Sequence, residues 1–270
     1  MGKINFNTLM GVDPSLDHRH HFETSWLLPP LAFAFLRGLV ALYIFVTNFF
    51  IWGWNGTHGN RAAIGQSFSF FTWLTYWGLG FYYLVACVHT ACYARSGRSL
   101  LFDVCPRGLR ALHGLFYTTV TTFPFLVTIV FWAILYSGPW YHATFNGWSN
   151  ISQHGLNSFF ALLEIILPTT NPHALLTFPF LLLLLLLYVS LAYLTHHTQG
   201  FYPYSFLDPG VHGEKSGLVA GYCFGILAAI LVIFALSWGA IWLRKKLTRG
   251  VVKRSRFDRE RGLEMEEVSA

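Results

Sequence analysis

Ionic side chains are scarce in this sequence. Only 11% of the 270 residues are charged, whereas 54% are hydrophobic and 18% are aromatic. A soluble domain of this length usually has about 25% charged residues. Because so few ionic groups cannot cover a surface that faces water, part of the solvent of this chain must be lipid. The composition therefore excludes an ordinary soluble globular protein and predicts an integral membrane protein.

Cysteine patterns and familiar catalytic motifs are also missing. The four cysteines, at positions 87, 92, 105 and 223, have neither metal-ligand spacing nor a disulfide framework, so we expect free thiols. There is no Gly-x-Ser-x-Gly elbow, no phosphate-binding loop and no His-Glu-x-x-His motif. The first residues contain no apolar core followed by a cleavage site, so no removable signal peptide is expected.

Apolar runs define the organisation of the chain. A transmembrane helix needs about 20 largely apolar residues. Five such runs lie near 29–52, 68–92, 112–136, 174–195 and 217–243. A shorter run near 151–168 contains His154, Asn157 and Glu164. Counting it gives six spans, and omitting it gives five.

Basic residues decide between the two counts. They are concentrated in the loop between the second and third runs and in the C-terminal tail, as Arg95, Arg98, Arg107, Arg110, Arg244, Lys245, Lys246, Arg249, Lys253, Arg254, Arg256, Arg259 and Arg261. Positive residues stay on the cytoplasmic side, and only an even number of spans puts this loop and this tail on one side. We therefore predict an all-α bundle of six transmembrane helices with both termini cytoplasmic. Its parts are a lead-in over 1–27, a transmembrane domain over 28–243 and a polybasic tail over 244–270.

The distribution of the basic residues also indicates which partners the protein binds. The net charge of +6 is clustered in that loop and tail, which favours membrane orientation over nucleic-acid binding. The tail is either a solvated tether or a segment attracted to anionic lipid. The segment from Asp17 to His21 is able to bind metal, but a flexible histidine cluster more often binds none, and we predict no metal site. We expect the protein in the endomembrane system, such as the endoplasmic reticulum, or in the plasma membrane.

Polar groups inside the predicted spans are costly, so each is a functional candidate. They are Arg37, Thr72, Thr75, His89, His154, Asn157, Glu164 and the pair His196-His197. Arg37 is expected to pair with Glu164, because each would otherwise be an isolated intramembrane charge. His89 would lie about 21 Å deeper than Thr75 and is expected to be structural.

Depth in the membrane suggests a catalytic pair. Thr75 would lie about 10 Å from the outer side, and His154 about 5 Å. A hydroxyl nucleophile needs an adjacent base, so the two would form a pair if their helices adjoin. The ordinary alternatives are a threonine bonded to its own helix, for both Thr72 and Thr75, and a helix-end histidine at the headgroups for His154.

Four segments, in this order and spacing, resemble a known family. They are Leu74-Thr75-Tyr76-Trp77, then Phe123-Pro124 with Val130-Phe131-Trp132, then Gly147-Trp148-Ser149-Asn150 with His154 and Glu164, and then His196-His197-Thr198-Gln199-Gly200 with the stretch from Tyr204 to Asp208. Together they resemble the androgen-induced membrane proteins, which are atypical threonine hydrolases of fatty acid esters of hydroxy fatty acids. The resemblance covers roughly residues 68–208. The long lead-in and polybasic tail depart from the animal members and favour a fungal-type member.

The resemblance implies roles for individual residues. Thr75 would be the nucleophile and His154 the base, with Thr72 as the alternative nucleophile. Possible supporting residues are Asn150, Asn157, Glu164, His196 and His197. Ser205 stands where the family often has proline, so the substrate pocket is expected to differ there.

We therefore expect a membrane-embedded lipid-ester hydrolase that takes its substrate from the bilayer and needs no cofactor. The alternative is a non-catalytic lipid-binding or transport protein that uses the same polar pocket. A third hypothesis is a structural membrane protein whose basic tail recruits other proteins.

Overall fold

The computed structural model describes residues 9–12 and 20–257, and within these ranges it contains helices but no β-strand. Six long helical segments dominate. They are α1 (Pro30–Thr57), α2 (Phe71–Ser96), α3 (Arg107–Leu135), α4 (Thr144–Ile151, Ser152–Leu156 and Asn157–Ile166), α5 (Thr177–Gln199) and α6 (Ser216–Leu247). Short helical turns lie between them at Ala62–Gln66, Ser67–Ser69, Leu100–Asp103 and Ser205–Leu207.

Five of these segments are long and apolar enough to cross a membrane, namely α1, α2, α3, α5 and α6. They match the five long apolar runs of the sequence, and they are compatible with a multi-pass integral membrane protein. The shorter run near 151–168 is helical as well and forms part of α4. This helix is not among the five, and its middle carries Gln153, His154 and Asn157. The sixth span therefore stays a prediction.

Neither α3 nor α4 is a regular α-helix. Helical geometry in α3 is interrupted between Val120 and Phe123, just before Pro124, which has no N–H for the helical ladder. The segment then ends in a π-helical turn, Phe131–Leu135, and α4 contains a second one, Ser152–Leu156. Turns of this kind are rare in proteins, and those that occur are often found at functional sites.

Four chain segments meet at one end of the bundle, which we call the basic end. Ser25 donates its hydroxyl to Leu167 O at 2.6 Å, and its own carbonyl accepts from Lys253 N at 2.8 Å. Ser255 N lies 3.4 Å from Tyr93 OH, to which it donates. The tail thus contacts the bundle at Lys253 and Ser255, so it is not a free tether as far as Ser255. Residues 258–270, with the last two basic positions, lie outside the described residues.

The helix α4 runs from the opposite end, which we call the aromatic end, to the basic end. In its first turn Phe145 stacks on Trp54 of α1, with ring centroids 4.5 Å apart. In its last turn Ile166 O accepts from Trp26 Nε1 at 2.7 Å. Because Trp54 lies in the last turn of α1 and Trp26 precedes its first turn, α4 lies antiparallel to α1 along its length.

A buried ion pair joins α1 to α4. Arg37 donates from Nε and Nη2 to the two carboxylate oxygens of Glu164, at 2.8 and 2.7 Å. Its Nη1 donates to Phe22 O at 2.7 Å and to Thr90 Oγ1 at 2.6 Å. Both ionic side chains are about 1% exposed. The predicted pairing is confirmed, and it has the two-pronged geometry that makes arginine–carboxylate contacts strong.

Small residues allow α1 and α2 to pack closely. A Cβ atom at Gly80 would lie 2.9 Å from Ile44 Cγ2, closer than such atoms can approach. Membrane helices often use small residues in this way, since lipid offers little hydrophobic drive for helix association. The contact fixes α2, and with it the threonines of its first turns, against α1.

Candidate active site

His154 is held in one orientation within the π-helical turn of α4. Its Nδ1 lies 3.1 Å from Asn150 O, and its ring stacks on Phe131 with centroids 3.6 Å apart. A carbonyl can only accept, so the neutral imidazole carries its proton on Nδ1 and its lone pair on Nε2. Trp132 Nε1 also donates to the His154 carbonyl at 2.9 Å. His154 is 9% exposed as a residue, its ring is fixed by Asn150 O and Phe131, and its Nε2 is left as the proton acceptor.

A cavity of about 420 Å³ lies beside this ring at the aromatic end. We call it the His154 cavity. It is lined by Phe70, Thr72, Trp73, Phe131, Leu135, Gln153, His154, Pro203, Tyr204 and Ser205. The structure thus brings Thr72 of α2 and His154 of α4 to one cavity, so the two helices adjoin as the pairing hypothesis required.

A second, apolar cavity of about 510 Å³ shares one wall with the first. Four residues line both, namely Thr72, Phe131, Leu135 and Tyr204. The remaining lining comes mainly from leucine, isoleucine, valine and phenylalanine side chains of α3, α5 and α6. Its volume lies in the range of about 300–1,000 Å³ that is typical of small-molecule sites. Thr72 therefore lies where the cavity that contains His154 meets the larger apolar one.

Thr72 belongs to the first turn of α2. Its N–H is one of the donors that have no partner within the helix, and it donates instead to Tyr204 OH at 3.3 Å. Its hydroxyl lies 3.4 Å from the same phenol oxygen. This contact lies at the positive end of the α2 dipole, where negative charge is favoured.

Thr75 lies one turn further along α2. Its hydroxyl contacts two carbonyls of its own helix, Phe71 O at 2.9 Å and Thr72 O at 3.1 Å. It is not among the residues that line the two cavities. In this conformation Thr75 makes the back-bonding contacts that are ordinary for threonine in a membrane helix.

Tyr204 was not predicted as a site residue. It comes from the loop between α5 and α6, and it approaches Thr72 from 132 positions away in the sequence. Burial raises the pKa of its phenol above the ordinary value, while the contacts with Thr72 act in the opposite direction. The phenol therefore stays protonated at neutral pH and can donate a hydrogen bond into the cavity. The only signal in the sequence was its position in the last of the four family-like segments.

Gln153 is a second residue that the sequence analysis missed. Its side chain lines the His154 cavity, and its amide nitrogen makes no hydrogen bond with any described residue. The neighbouring Ser152 contacts Tyr43 OH of α1 at 2.7 Å, which holds this turn against α1. Consecutive residues of a regular helix point in different directions, so nothing in the sequence indicated that Gln153 and His154 share a cavity.

The remaining candidates lie outside the His154 cavity. Asn150 supplies only its backbone carbonyl to the histidine, and its side chain donates to Asn146 O at 2.9 Å. Asn157 accepts from Thr128 Oγ1 at 3.1 Å and so joins α4 to α3. Glu164 is bound to Arg37 near the basic end.

The two histidines at the end of α5 are separate from the cavity as well. His196 stacks on Tyr202, with ring centroids 3.9 Å apart, and His197 is exposed. His89 is buried and stacks on His113, with ring centroids 5.4 Å apart, and its structural role stays a prediction. Among residues 9–12 and 20–257, no group of three or more histidine, cysteine or acidic side chains has the arrangement of a metal site. The segment from Asp17 to His21 is only partly within those ranges.

The chain matches no family model, no curated protein and no solved structure. The resemblance to the androgen-induced membrane proteins therefore stays a prediction that rests on the four sequence segments.

Proposed function

We propose that this protein is a membrane-embedded lipid-ester hydrolase with a threonine nucleophile and His154 as its base. The observation that carries the proposal is the junction of the two cavities. There Thr72 lines both cavities, and His154, with its lone pair on Nε2, lines the one that adjoins the apolar cavity. A long-chain ester needs all three, because its acyl chain is apolar and its carbonyl must meet an activated nucleophile.

The chemistry follows from these positions. The threonine oxygen attacks the ester carbonyl carbon while its proton passes to His154 Nε2. The tetrahedral intermediate collapses, the alcohol leaves with the proton from His154, and an acyl-threonine remains. A water molecule then attacks this ester with its proton passing to His154, and the fatty acid and free threonine are released. The phenol of Tyr204, 3.4 Å from the Thr72 hydroxyl, would stabilise the oxyanion.

The substrate enters sideways from the leaflet. The apolar cavity is lined in part by Leu186 of α5 and by Phe224 of α6, which are 65% and 72% exposed on the outer surface of the bundle. In a membrane, side chains with this exposure face acyl chains. An ester can therefore slide its apolar part between α5 and α6 without leaving the bilayer.

The proposal includes six spans with both termini cytoplasmic, which puts the His154 cavity at the side of the membrane away from the cytoplasm. Its support is the end-to-end course of α4 and the meeting of basic loop and tail at one end. We expect a cysteine at Ser137, which is exposed between α3 and α4, to react with an impermeant thiol reagent in sealed, cytoplasm-side-in vesicles. A cysteine at Asn171, between α4 and α5, should react only after the vesicles are opened. Both cysteines reacting from the same side would contradict a spanning α4.

Two threonines qualify as the nucleophile on different grounds. The family-like segment assigns the role to Thr75, whereas the cavity geometry favours Thr72, which lines both cavities. One turn of helix separates them, about 4.5 Å along the axis. The function that the geometry supports best uses Thr72.

Four variants of the purified protein separate the two assignments. With a branched fatty acid ester as substrate, we expect Thr72→Ala to lose turnover and Thr72→Ser to retain a measurable part of it, because serine keeps the hydroxyl. Thr75→Ala and Thr75→Ser should turn over the ester like the parent. The reverse pattern would assign the nucleophile to Thr75, as the resemblance implies. Parental turnover in both alanine variants would rule out a threonine nucleophile at this turn.

Lipid binding without catalysis is the second candidate function. It is favoured by the apolar cavity alone, which needs no nucleophile to hold an acyl chain. Retention of an ester by the parent without any turnover would support this function and contradict the hydrolase.

A further inference from the structure

A third cavity lies at the basic end, remote from His154. Its volume is about 680 Å³, and four chain segments form it. They are the N-terminal segment at His21, the loop with Thr169 and Pro172, the last turns of α6, and the tail at Val251 and Val252. The tail closes one side, because Lys253 N donates to Ser25 O at 2.8 Å.

The lining of this cavity is cationic. Arg244, Lys245, Lys246 and Arg249 all line it, and no aspartate or glutamate does so within the described part of the chain. Arg244 is 7% exposed and donates to Ile165 O, Thr170 O and Thr170 Oγ1, which are neutral oxygens. Its charge is therefore fixed in place without a carboxylate bonded to it.

Two further cations are positioned around the opening. Lys245 Nζ donates to Asn171 Oδ1 at 2.5 Å, and Lys246 Nζ lies 5.2 Å from the ring centre of Trp242. Trp242 is itself a lining residue, and tryptophan at the end of a spanning helix is typical of the headgroup level. The cavity thus lies where the headgroups of the adjacent leaflet are expected.

The same helix end offers an apolar surface beside the cavity. Leu243 and Leu247 are 49% and 76% exposed on α6. A lipid whose acyl chains lie against these leucines would bring its phosphate to the opening between Lys246 and Arg249. This neighbourhood favours a membrane lipid over a phosphate ion from solution.

We infer that this cavity binds the phosphate headgroup of an anionic phospholipid. The inference does not depend on hydrolase activity, because the His154 cavity lies at the other end of the bundle. The predicted attraction of the basic tail for anionic lipid thus has a defined site, which is formed by α6, the α4–α5 loop and the packed part of the tail.

Lipid retention tests the inference. The full-length protein, purified in detergent, would be titrated with phosphatidic acid, with phosphatidylcholine and with inorganic phosphate, and bound molecules would be counted by native mass spectrometry. We expect the parent to retain phosphatidic acid in preference to the other two. The double variant Lys246→Gln/Arg249→Gln should bind it roughly 30-fold more weakly, since each basic residue near the surface contributes about 1 kcal/mol.

The matched control removes the same charge from the same end. Arg95 and Arg98 are exposed and do not line the cavity, so Arg95→Gln/Arg98→Gln should retain phosphatidic acid like the parent. Equal weakening in both double variants would mean diffuse charge attraction and would overturn the site. Equal binding of phosphatidylcholine, or equally tight binding of inorganic phosphate, would overturn the assignment to an anionic lipid.

Discussion

Replacing Glu164 by alanine is expected to destabilise the protein by about 3–5 kcal/mol, the usual cost of leaving one partner of a buried ion pair alone. Arg37 cannot lose its proton in a protein, so its charge would remain inside the bundle, about 1% exposed, without a counter-ion. Its bonds to Phe22 O and Thr90 Oγ1 stabilise the guanidinium but do not neutralise it. The loss also removes the ionic contact between α1 and α4.

Unfolding in a denaturing detergent measures this effect. The matched control is Glu214→Ala, which removes an exposed carboxylate in the loop between α5 and α6 and should leave the transition unchanged. The double variant Arg37→Met/Glu164→Leu should recover most of the loss, because it removes both charges and keeps apolar volume. A Glu164→Ala variant that unfolds together with the parent would show that the pair contributes nothing.

Most of the helical frame could be predicted from the sequence, since spans in lipid must be both apolar and helical. The five long runs needed only composition. The pairing of Arg37 with Glu164 was predictable for a related reason, because two isolated charges in lipid have few alternatives. The shorter run near 151–168 could not be judged by hydropathy, and only the arrangement of basic residues indicated a crossing helix there.

The site was less predictable, because its geometry depends on where helices begin and on irregular turns. The apolar run that became α2 starts near residue 68, but the helix itself begins at Phe71, which puts Thr72 rather than Thr75 at the cavity. The π-helical turns carrying Phe131 and His154 leave no hydrophobic period that a sequence pattern reveals. Tyr204 arrives from a distant loop, so only the tertiary structure brings its phenol to Thr72.

Replacing His154 is expected to reduce turnover of a fatty acid ester by about 10²–10⁴-fold, the usual contribution of a general base. His154→Ala removes the ring that stacks on Phe131, so a loss there has two explanations. His154→Phe keeps a flat ring in the stack and removes only the nitrogens, and we expect it to unfold like the parent while losing the same activity. His58→Ala is the control, because His58 is an exposed histidine at the same end of the bundle. Parental turnover in His154→Phe would leave the threonine without its base and contradict the mechanism. If only the two His154 variants lose turnover, and both still bind substrate, the base is His154. Its Nδ1 is bonded to Asn150 O, and its Nε2 is left for the reacting hydroxyl.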